Sequence, residues 1–173
     1  MLLTPEQTKA TIEALAVQLC RGLSDPHKRV VVGIRRGGAL VARLLRDQLA
    51  QCHGIELPLG FLDITFYRDD LDTIGPNPVV GATDMSMDLD DKRIILVDDV
   101  LFTGRTIRAA LNALFDYGRP ERVDLVVLVD RGFRQLPIQP DFVGMTVATG
   151  PREFIKLHPQ QDEGYPMVVR RLI

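Results

Sequence analysis

The sequence contains few residues of the types that form metal sites or disulfides. Its 173 residues include two cysteines, Cys20 and Cys52, and three histidines, His27, His53 and His158. Each cysteine lies in an apolar, helix-like stretch, so we expect buried free thiols and no disulfide framework. The histidines show no ligand spacing, and we expect them on the surface or in loops, without a zinc site.

Long hydrophobic runs and signal-peptide features are also missing. No apolar run is long enough to span a bilayer, and the N-terminal segment MLLTPEQTKATIEAL lacks the charged-then-apolar order of a signal peptide. We therefore expect a cytoplasmic protein without a membrane partner. The net charge of −2 provides no overall attraction to nucleic acid. The length fits a single domain over residues 1–173, and we find no repeat, linker or second core.

The first residues predict the start of a helix. Thr4 suits the N-cap position, Pro5 suits the first helical position, and Gln7 completes a capping box with Thr4. Apolar residues then recur with helical spacing until Gly22 and Pro26, where we expect the helix to end.

Strand and helix patterns then alternate along the chain. Predicted helices cover residues 39–52 and 106–118, the second with Gly118 as its C-cap. We interpret residues 68–92 as a long polar loop that contains a short hairpin, and residues 133–173 as a small C-terminal hood. The predicted strands cover residues 29–34, 57–67, 93–99 and 122–132, with shorter candidates at 141–150 and 167–173.

This alternation predicts an α/β fold with a central parallel sheet flanked by helices and right-handed crossovers. Ligands bind outside the carboxyl ends of the strands in such sheets. Three predicted strands each end in a charged or glycine-rich turn, at residues 35–38, 98–106 and 130–132. We expect these three turns to meet at one edge of the sheet.

The turn Thr103-Gly104-Arg105-Thr106 has the composition of a phosphate site. Its backbone amides, its hydroxyls and the start of the following helix all favour an anion. The alternative is a helix that one of the threonines merely caps. A nucleotide loop of the Walker or Gly-x-Gly-x-x-Gly type is excluded, because neither motif occurs after a strand.

Asp98 and Asp99 directly precede this turn. Adjacent strand residues point to opposite faces, so the two carboxylates cannot both lie on one solvent-exposed face of the strand. Near a strand end they can accept hydrogen bonds from vicinal hydroxyls, lie near a hydrated Mg²⁺, or help to neutralise a developing cation. A ribose 5-phosphate would satisfy both the carboxylates and the phosphate turn.

The segment ILVDDVLFTGRT, Ile95 to Thr106, resembles the signature of type I phosphoribosyltransferases, which bind phosphoribosyl pyrophosphate (PRPP). The N-terminal helix, Asp63–Leu71 and Gly118–Gly144 are similar to one branch of that family, the bacterial regulators of pyrimidine operons. Those regulators resemble uracil phosphoribosyltransferases in activity. The resemblance covers nearly the whole chain.

The resemblance implies roles for individual residues. Asp98 and Asp99 would contact the ribose hydroxyls, and the turn at 35–38 would bind pyrophosphate, often with a non-proline cis peptide. A mobile loop at 68–91 would close over PRPP, and the hood would help to bind uracil. The implied substrate-binding and catalytic residues are Arg35, Arg36, Gly37, Gly38, Arg68, Asp69, Asp98, Asp99, Val100, Leu101, Phe102, Thr103, Gly104, Arg105, Thr106, Asp130, Arg131 and Ile155.

The implied reaction is the displacement of pyrophosphate from PRPP by uracil N1, which gives UMP. Mg²⁺ would be bound with PRPP near Asp98 and Asp99, without direct protein ligands, and Arg35 or Arg36 would stabilise the leaving group. The implied partners are uracil, PRPP, UMP or UTP, and the messenger RNA leader of a pyrimidine operon, with a homodimer or homotetramer as the assembly. The sequence offers no Ser/His/Asp or Cys/His set for a side-chain nucleophile.

Some positions depart from the family pattern. Phe133 stands where the family usually has histidine, Gln139-Pro140-Asp141 where it has Arg-Ala-Asp, and Arg36-Gly37 where many members have Thr-Arg. These changes weaken the expectation of RNA binding more than that of PRPP binding. Two alternatives remain: a non-enzymatic, nucleotide-sensing RNA-binding regulator, and a phosphoribosyltransferase for hypoxanthine, guanine or orotate. The candidate RNA-binding residues are Lys9, Arg21, His27, Lys28, Arg134 and Arg152.

Overall fold

The computed structural model describes residues 1–22, 24–67, 83–150, 152–160 and 164–172. Short 3-10 helices occupy Pro26–Lys28 and Thr65–Tyr67. The α-helices are α1 (Pro5–Gly22), α2 (Gly37–His53) and α3 (Arg105–Phe115). The strands are β1 (Arg29–Ile34), β2 (Leu59–Leu62), β3 (Arg93–Leu101), β4 (Arg122–Asp130), β5 (Phe142–Thr146), β6 (Glu153–His158) and β7 (Met167–Leu172).

Five strands form one parallel sheet in the order β2-β1-β3-β4-β5. Its central strands are buried on both faces, which explains their nearly continuous apolar sequences. One face packs against α1 and α2 around Leu15, Leu45 and Ile95, and the other packs against α3 around Ile94 and Leu114. The predicted α/β fold with a helix-flanked parallel sheet is confirmed.

The C-terminal residues add a small antiparallel sheet of β6 and β7. Strand β7 was predicted, whereas β6 was not. The hairpin is joined to the N-terminus, because the amide of Leu3 donates to the carbonyl of Val168 at 3.1 Å and the amide of Val168 donates back at 3.1 Å. The first residues therefore anchor the region predicted as the hood.

The start of α1 has the predicted capping box. The Thr4 amide donates to Gln7 Oε1 at 2.9 Å, and the Gln7 amide donates to Thr4 Oγ1 at 3.3 Å. Both hydrogen bonds satisfy amides that a helix start leaves without partners. The prediction that this helix ends at Gly22 is also confirmed.

The extended run predicted over 57–67 is wrong at both ends. Strand β2 covers only Leu59–Leu62, and Thr65–Tyr67 form a 3-10 helix. Asp63 explains the break, because its Oδ1 accepts the Thr65 amide at 2.8 Å and so turns the chain away from the sheet.

Three other predicted bounds also shift. Helix α2 begins at Gly37, so the glycine pair forms its first turn, and α3 ends at Phe115 instead of Gly118. Strand β3 continues to Leu101 because its pairing with β4 extends as far as Asp130. The Asp98-Asp99 pair therefore lies inside the strand, near its end.

The cysteines are free thiols, as predicted, but the prediction that they are buried is wrong. Cys20 and Cys52 are both free, but Cys20 is half-buried and Cys52 is exposed in the last turn of α2, where the helix leaves the core. Burial raises the pKa of the Cys20 thiol. None of the helices in the described part of the chain combines the length and apolar character that a membrane span requires.

Candidate active site

The carboxyl ends of β1 and β3 mark the point where the order of the sheet reverses. From β1 the chain crosses to β2 on one side, whereas β3, β4 and β5 follow one another on the other side. Such a reversal leaves a crevice between the turns that follow the two strands, and ligands of α/β proteins bind there. The turn at 35–38 and the Asp98-Asp99 pair flank this crevice.

The glycines of the first turn lie directly against the aspartate pair. A Cβ atom added to Gly37 would overlap the Asp99 carboxylate. One added to Gly38 would lie 2.5 Å from the Val97 carbonyl oxygen and 2.9 Å from Asp98 Cα. At Gly37 a Cβ atom would require the Asp99 carboxylate to move, and at Gly38 it would overlap backbone atoms, so the two glycines allow the close contact between the first two turns.

The first turn also carries positive charge that no acidic group among the described residues neutralises. Arg35 is half-buried, and its Nε is buried without a hydrogen-bond partner among the described residues. Arg36 is exposed at the N-cap of α2, where its side chain makes no capping bond. The peptide bond between the two arginines is cis, as the family resemblance implied. Two guanidinium groups beside a helix N-terminus form a site for an anion.

Burial controls the ionisation of the aspartate pair. Asp98 is buried and Asp99 is half-buried. Each carboxylate accepts the amide of the next residue, Asp99 N to Asp98 Oδ1 at 2.9 Å and Val100 N to Asp99 Oδ1 at 3.0 Å. Burial raises the pKa of Asp98 well above its ordinary value, and the neighbouring Asp99 carboxyl raises it further. Burial also raises the pKa of Asp99. The pair therefore favours a ligand that brings hydrogen-bond donors or positive charge.

The turn before α3 exposes the start of a helix. Gly104 is the N-cap residue, with a φ of 91° in the left-handed region that glycine adopts readily. Thr103 Oγ1 accepts the Arg105 amide at 3.3 Å, but neither Thr103 nor Thr106 is the N-cap residue. One amide at the helix start is therefore satisfied by a threonine hydroxyl, as the capping alternative expects. The first amides of a helix lack acceptors within it, so this turn can bind an anion.

The third turn joins the second through Arg131. Its amide donates to the Leu101 carbonyl at 3.0 Å, and its guanidinium lies 3.9 Å from the centre of the Phe102 ring. Its Nε donates to Thr149 Oγ1 at 3.2 Å. Burial lowers the pKa of Arg131. The predicted convergence of the three turns is thus present in the structure, with Arg131 inside the packing between two of them.

Asp130 is engaged by residues of its own turn. Its Oδ1 accepts the Gly132 amide at 2.9 Å, and its Oδ2 pairs with Arg134 Nη2 at 2.6 Å. Phe133 is exposed with a φ of 59°, and its ring meets that of Phe102 edge-on with the centres 6.3 Å apart. Asp130 is therefore already partnered, and Phe133 is exposed beside it.

The chain matches the model of the phosphoribosyl transferase domain over residues 1–157. This chain belongs to the phosphoribosyltransferase family. Among its relatives, a protein of Nostoc punctiforme named Bifunctional protein PyrR is 48% identical over 163 residues, which cover 94% of this chain and 91% of that protein. A protein of the same name from Deinococcus radiodurans is 41% identical over 167 residues, 96% of this chain and 91% of the relative.

Solved phosphoribosyltransferases share the fold. A hypoxanthine-guanine phosphoribosyltransferase of Bacillus anthracis superposes with a TM-score of 0.69 at 22% identity and covers 89% of this chain and 85% of its own. A hypoxanthine phosphoribosyltransferase of Trypanosoma cruzi gives 0.66 at 20% identity, with 90% and 83% covered. At this level of identity the similarity establishes the architecture, but it does not indicate which nucleobase the protein uses.

Some family-implied residues lie apart from the open edge. The side chains of Leu101 and Ile155 pack in the core, with 1% and 8% of their surface exposed. Val100 is half-buried. Arg68 and Asp69 lie outside the described residues, as does most of the predicted mobile loop at 68–91, of which only residues 83–91 are described. The described residues contain no group of three or more His, Cys, Asp or Glu side chains that could hold a metal ion.

The candidate RNA-binding residues occupy opposite edges of the sheet. His27 and Lys28 precede β1 at the amino edge, whereas Arg134 follows β4 at the carboxyl edge. Lys28 lies 4.0 Å from Glu121, and Arg134 is paired with Asp130. Lys9 and Arg21 are exposed on α1, about 18 Å apart along its axis. Arg152 is exposed before β6. Within one chain these family positions do not form a single basic face.

One contact of the site was not predicted from the sequence. The ring of Phe61, on β2, lies 5.4 Å from the guanidinium carbon of Arg35 and 5.4 Å from that of Arg43 on α2. The sequence gives no signal for this cluster, because the contact depends on the alignment of β2 with β1 and on the position of α2 above them.

Proposed function

We propose that this chain is a uracil phosphoribosyltransferase, which converts uracil and PRPP to UMP and pyrophosphate. The observation that carries the proposal is the contact between the Gly37 backbone and the Asp99 carboxylate at the reversal point of the sheet. It places two carboxylates between an arginine turn and a helix N-terminus. PRPP has the same order of groups, with its 2- and 3-hydroxyls between pyrophosphate and the 5-phosphate.

The 5-phosphate binds at the start of α3. The backbone of Thr103 to Thr106, the hydroxyls of the two threonines and the positive end of the helix dipole supply donors and favourable potential. The left-handed conformation of Gly104 turns the chain so that the helix start faces the carboxyl edge.

The ribose binds between the first two turns. Asp98 and Asp99 accept hydrogen bonds from its 2- and 3-hydroxyls. These hydrogen bonds offset the free-energy cost of ionising two carboxyl groups whose pKa values are raised by burial. Pyrophosphate binds at Arg35, Arg36, Gly37 and Gly38, where two guanidinium groups that have no acidic partner among the described residues lie at the N-terminus of α2.

The reaction exchanges the bond to pyrophosphate for a bond to uracil. The bond between C1 of the ribose and a pyrophosphate oxygen breaks, the bond from C1 to uracil N1 forms, and the proton of N1 passes to the departing pyrophosphate. Positive charge builds on the ribose ring, where Asp98 and Asp99 stabilise it, and negative charge builds on pyrophosphate, where Arg35 and Arg36 stabilise it. This division of charge requires no side-chain nucleophile.

The residues present are compatible with Mg²⁺ bound together with PRPP. Asp98 and Asp99 supply oxygen atoms, which Mg²⁺ prefers, and burial raises the pKa of both carboxyl groups, so a cation beside them would favour their ionised form. When bound, Mg²⁺ neutralises charge on the leaving pyrophosphate.

Uracil as the base is supported by sequence similarity. The relatives at 41–48% identity are named Bifunctional protein PyrR, whereas the hypoxanthine and hypoxanthine-guanine enzymes with the same fold are only 18–23% identical. We place the base near the third turn, with Asp130 and Arg131, and beneath the hood at 133–173. The enzyme acts in the cytoplasm as a homodimer or homotetramer.

A second function is control of pyrimidine operon expression through binding of the messenger RNA leader in response to uridine nucleotides. The name Bifunctional protein PyrR of relatives that share almost the full length supports it. Arg134 is paired with Asp130, and the other candidate cations lie on different elements of the chain, so we expect an RNA surface to combine residues of more than one chain.

The test is formation of UMP from uracil and PRPP in the presence of Mg²⁺, with hypoxanthine, guanine and orotate as competing bases. We expect uracil to give the highest kcat/KM. No turnover together with UMP-dependent RNA binding would favour the purely regulatory alternative, and faster use of another base would overturn the choice of uracil.

A further inference from the structure

The ring of Phe61 contacts two guanidinium groups. The guanidinium carbons of Arg35 and Arg43 each lie 5.4 Å from the centre of the ring. Distances of this size allow a cation–π interaction, which is attractive because the face of an aromatic ring is electron-rich. Phe61 is half-buried, whereas Arg43 is exposed on α2.

Arg35 depends on this ring for its orientation. Its Nε is buried without a hydrogen bond in the part of the chain that the structure describes. Within the same residues the only side-chain interaction of its guanidinium is the one with Phe61. An arginine without other partners has many accessible rotamers, so the ring is the feature that restricts it.

The backbone of Phe61 is fixed on both sides. On its outer side the Phe61 amide donates to the Asp84 carbonyl at 2.8 Å, and the Asp84 amide donates to the Phe61 carbonyl at 2.9 Å. On its inner side Phe61 is aligned with Gly33 of β1. The Arg35 amide continues this pairing, because it donates to the Leu62 carbonyl at 2.9 Å.

The same alignment puts Phe61 and Arg35 on one face of the sheet. Residues two apart in a strand share a face, so Arg35 lies on the side of Gly33 and Phe61. That side faces α2, since a Cβ atom on Gly33 would lie 2.7 Å from Ala42 Cβ. The missing side chain at Gly33 leaves the ring and the guanidinium as neighbours beneath the helix.

We propose that Phe61 is a positioning residue that holds the Arg35 guanidinium for the pyrophosphate group. This inference depends on the proposed function, which places pyrophosphate at residues 35–38. A guanidinium that is already oriented loses less freedom when the anion binds, so pre-organisation increases affinity. The effect is specific to the pyrophosphate end of the substrate and does not extend to uracil.

Arg43 supplies a matched control. It contacts the same ring, but it is exposed and lies about 10 Å along α2 from Arg36. Arg43→Gln therefore removes the second cation from the ring without altering the turn. We expect the affinity for pyrophosphate to stay within about twofold of that of the unmodified chain.

The experiment measures binding and turnover in Phe61→Leu, Phe61→Ile and Phe61→Tyr. The first two remove the ring and retain an apolar side chain suited to a strand, and the third retains the ring. Calorimetric titration with magnesium pyrophosphate should show affinity about three- to fivefold weaker for Leu and Ile, with Tyr close to the unmodified chain. KM for PRPP should rise by the same factor while KM for uracil stays constant. Thermal unfolding checks that each variant is folded.

A double-mutant cycle with Arg35→Gln distinguishes positioning from general damage. If Phe61 acts through Arg35, adding Phe61→Leu to Arg35→Gln should cause no further loss of pyrophosphate affinity. Full additivity, unchanged affinity in both Leu and Ile variants, or an equal rise in KM for uracil would overturn the inference. Pyrophosphate binding without turnover of uracil would contradict the proposed function alone, and no pyrophosphate binding by the unmodified chain would contradict both.

Discussion

Gly37 and the Asp99 carboxylate are in such close contact that even a methyl group does not fit between them. The contact joins the turn after β1 to the end of β3, although the two residues are far apart in sequence. It fixes the distance between the positively charged turn and the aspartate pair, and thus the separation between the sites proposed for pyrophosphate and for the ribose hydroxyls.

Gly37→Ala is expected to reduce kcat/KM for PRPP on the order of 100-fold, because the new methyl group displaces the Asp99 carboxylate from the ribose. Steady-state kinetics with varied PRPP measures the effect. Gly22→Ala is the control, since a Cβ atom there meets no atom within 4 Å. Equal activity of the two variants would show that the contact has no catalytic importance.

Asp98→Asn and Asp99→Asn are each expected to lower kcat at least about tenfold while the fold is retained. Asparagine keeps an oxygen that can accept the neighbouring backbone amide, but it has no negative charge to stabilise the developing positive charge on the ribose. Turnover with saturating PRPP and uracil is the measurement, and circular dichroism checks the fold. Normal turnover in both variants would remove the basis for the ribose assignment.

The raised pKa of Asp98 predicts a pH-dependent stability difference. A carboxyl group whose pKa is higher in the folded state favours folding below its unfolded pKa, and this contribution is lost as the pH rises through the folded value. Asp98→Asn has no such titration. We therefore expect the variant to gain stability relative to the unmodified chain as the pH rises from about 4 towards neutrality. At pH 7 the ligand-free variant should be more stable by about 1 kcal/mol.

Urea unfolding of both chains at several pH values measures this difference. Since Asp99 interacts with Asp98, the same series with Asp99→Asn indicates how the effect is shared between them. A difference in the free energy of unfolding that is constant with pH would contradict the assignment of a raised pKa to Asp98.

The fold was predictable where the local pattern agrees with the tertiary environment. Strand β1 was predicted at its observed bounds, because an uninterrupted β-branched run is typical of a strand buried on both faces. Strand β6 was not predicted, because it is a short segment in a tail that is rich in proline and glycine, and among the described strands it pairs with β7 alone. Its stability comes from that pairing, which local sequence does not encode.

The site was predictable where its residues are contiguous in sequence. The aspartate pair and the turn at 103–106 belong to one motif, so their proximity follows from local geometry. The burial of Arg131 was not predictable, because a charged residue in a polar turn is usually solvated, and here Phe102 and Thr149 enclose it. The contact of Phe61 with Arg35 depends on strand register, which the sequence pattern left open.

Thr106→Val is expected to raise KM for PRPP about tenfold or more, since it removes one hydroxyl donor from a doubly charged phosphate. The substitution is nearly isosteric, so kcat should change less than KM. Thr11→Val is the matched control, because the Thr11 hydroxyl donates only to the Gln7 carbonyl of α1, at 2.8 Å. An unchanged KM in the Thr106 variant would indicate that the backbone amides alone bind the 5-phosphate.

The opposite edge of the sheet contains a buried ion pair that should affect stability and not catalysis. Arg29 Nη1 lies 3.1 Å from Asp124 Oδ2, and both side chains are at most 7% exposed. Asp124→Leu would leave the Arg29 charge buried with only backbone carbonyls of Ser24 and Gly22 as partners. We expect the free energy of unfolding to fall by about 3–5 kcal/mol.

Urea unfolding measures that loss, and kcat at a temperature where the variant is fully folded should stay near that of the unmodified chain, because β1 and β4 begin at the edge remote from the aspartate pair. Glu121→Gln is the control on the same edge. Glu121 pairs with Arg93 at 2.7 Å but is 40% exposed, so its loss should change the free energy of unfolding far less than Asp124→Leu does. Comparable losses in the two variants would mean that burial does not distinguish the two ion pairs.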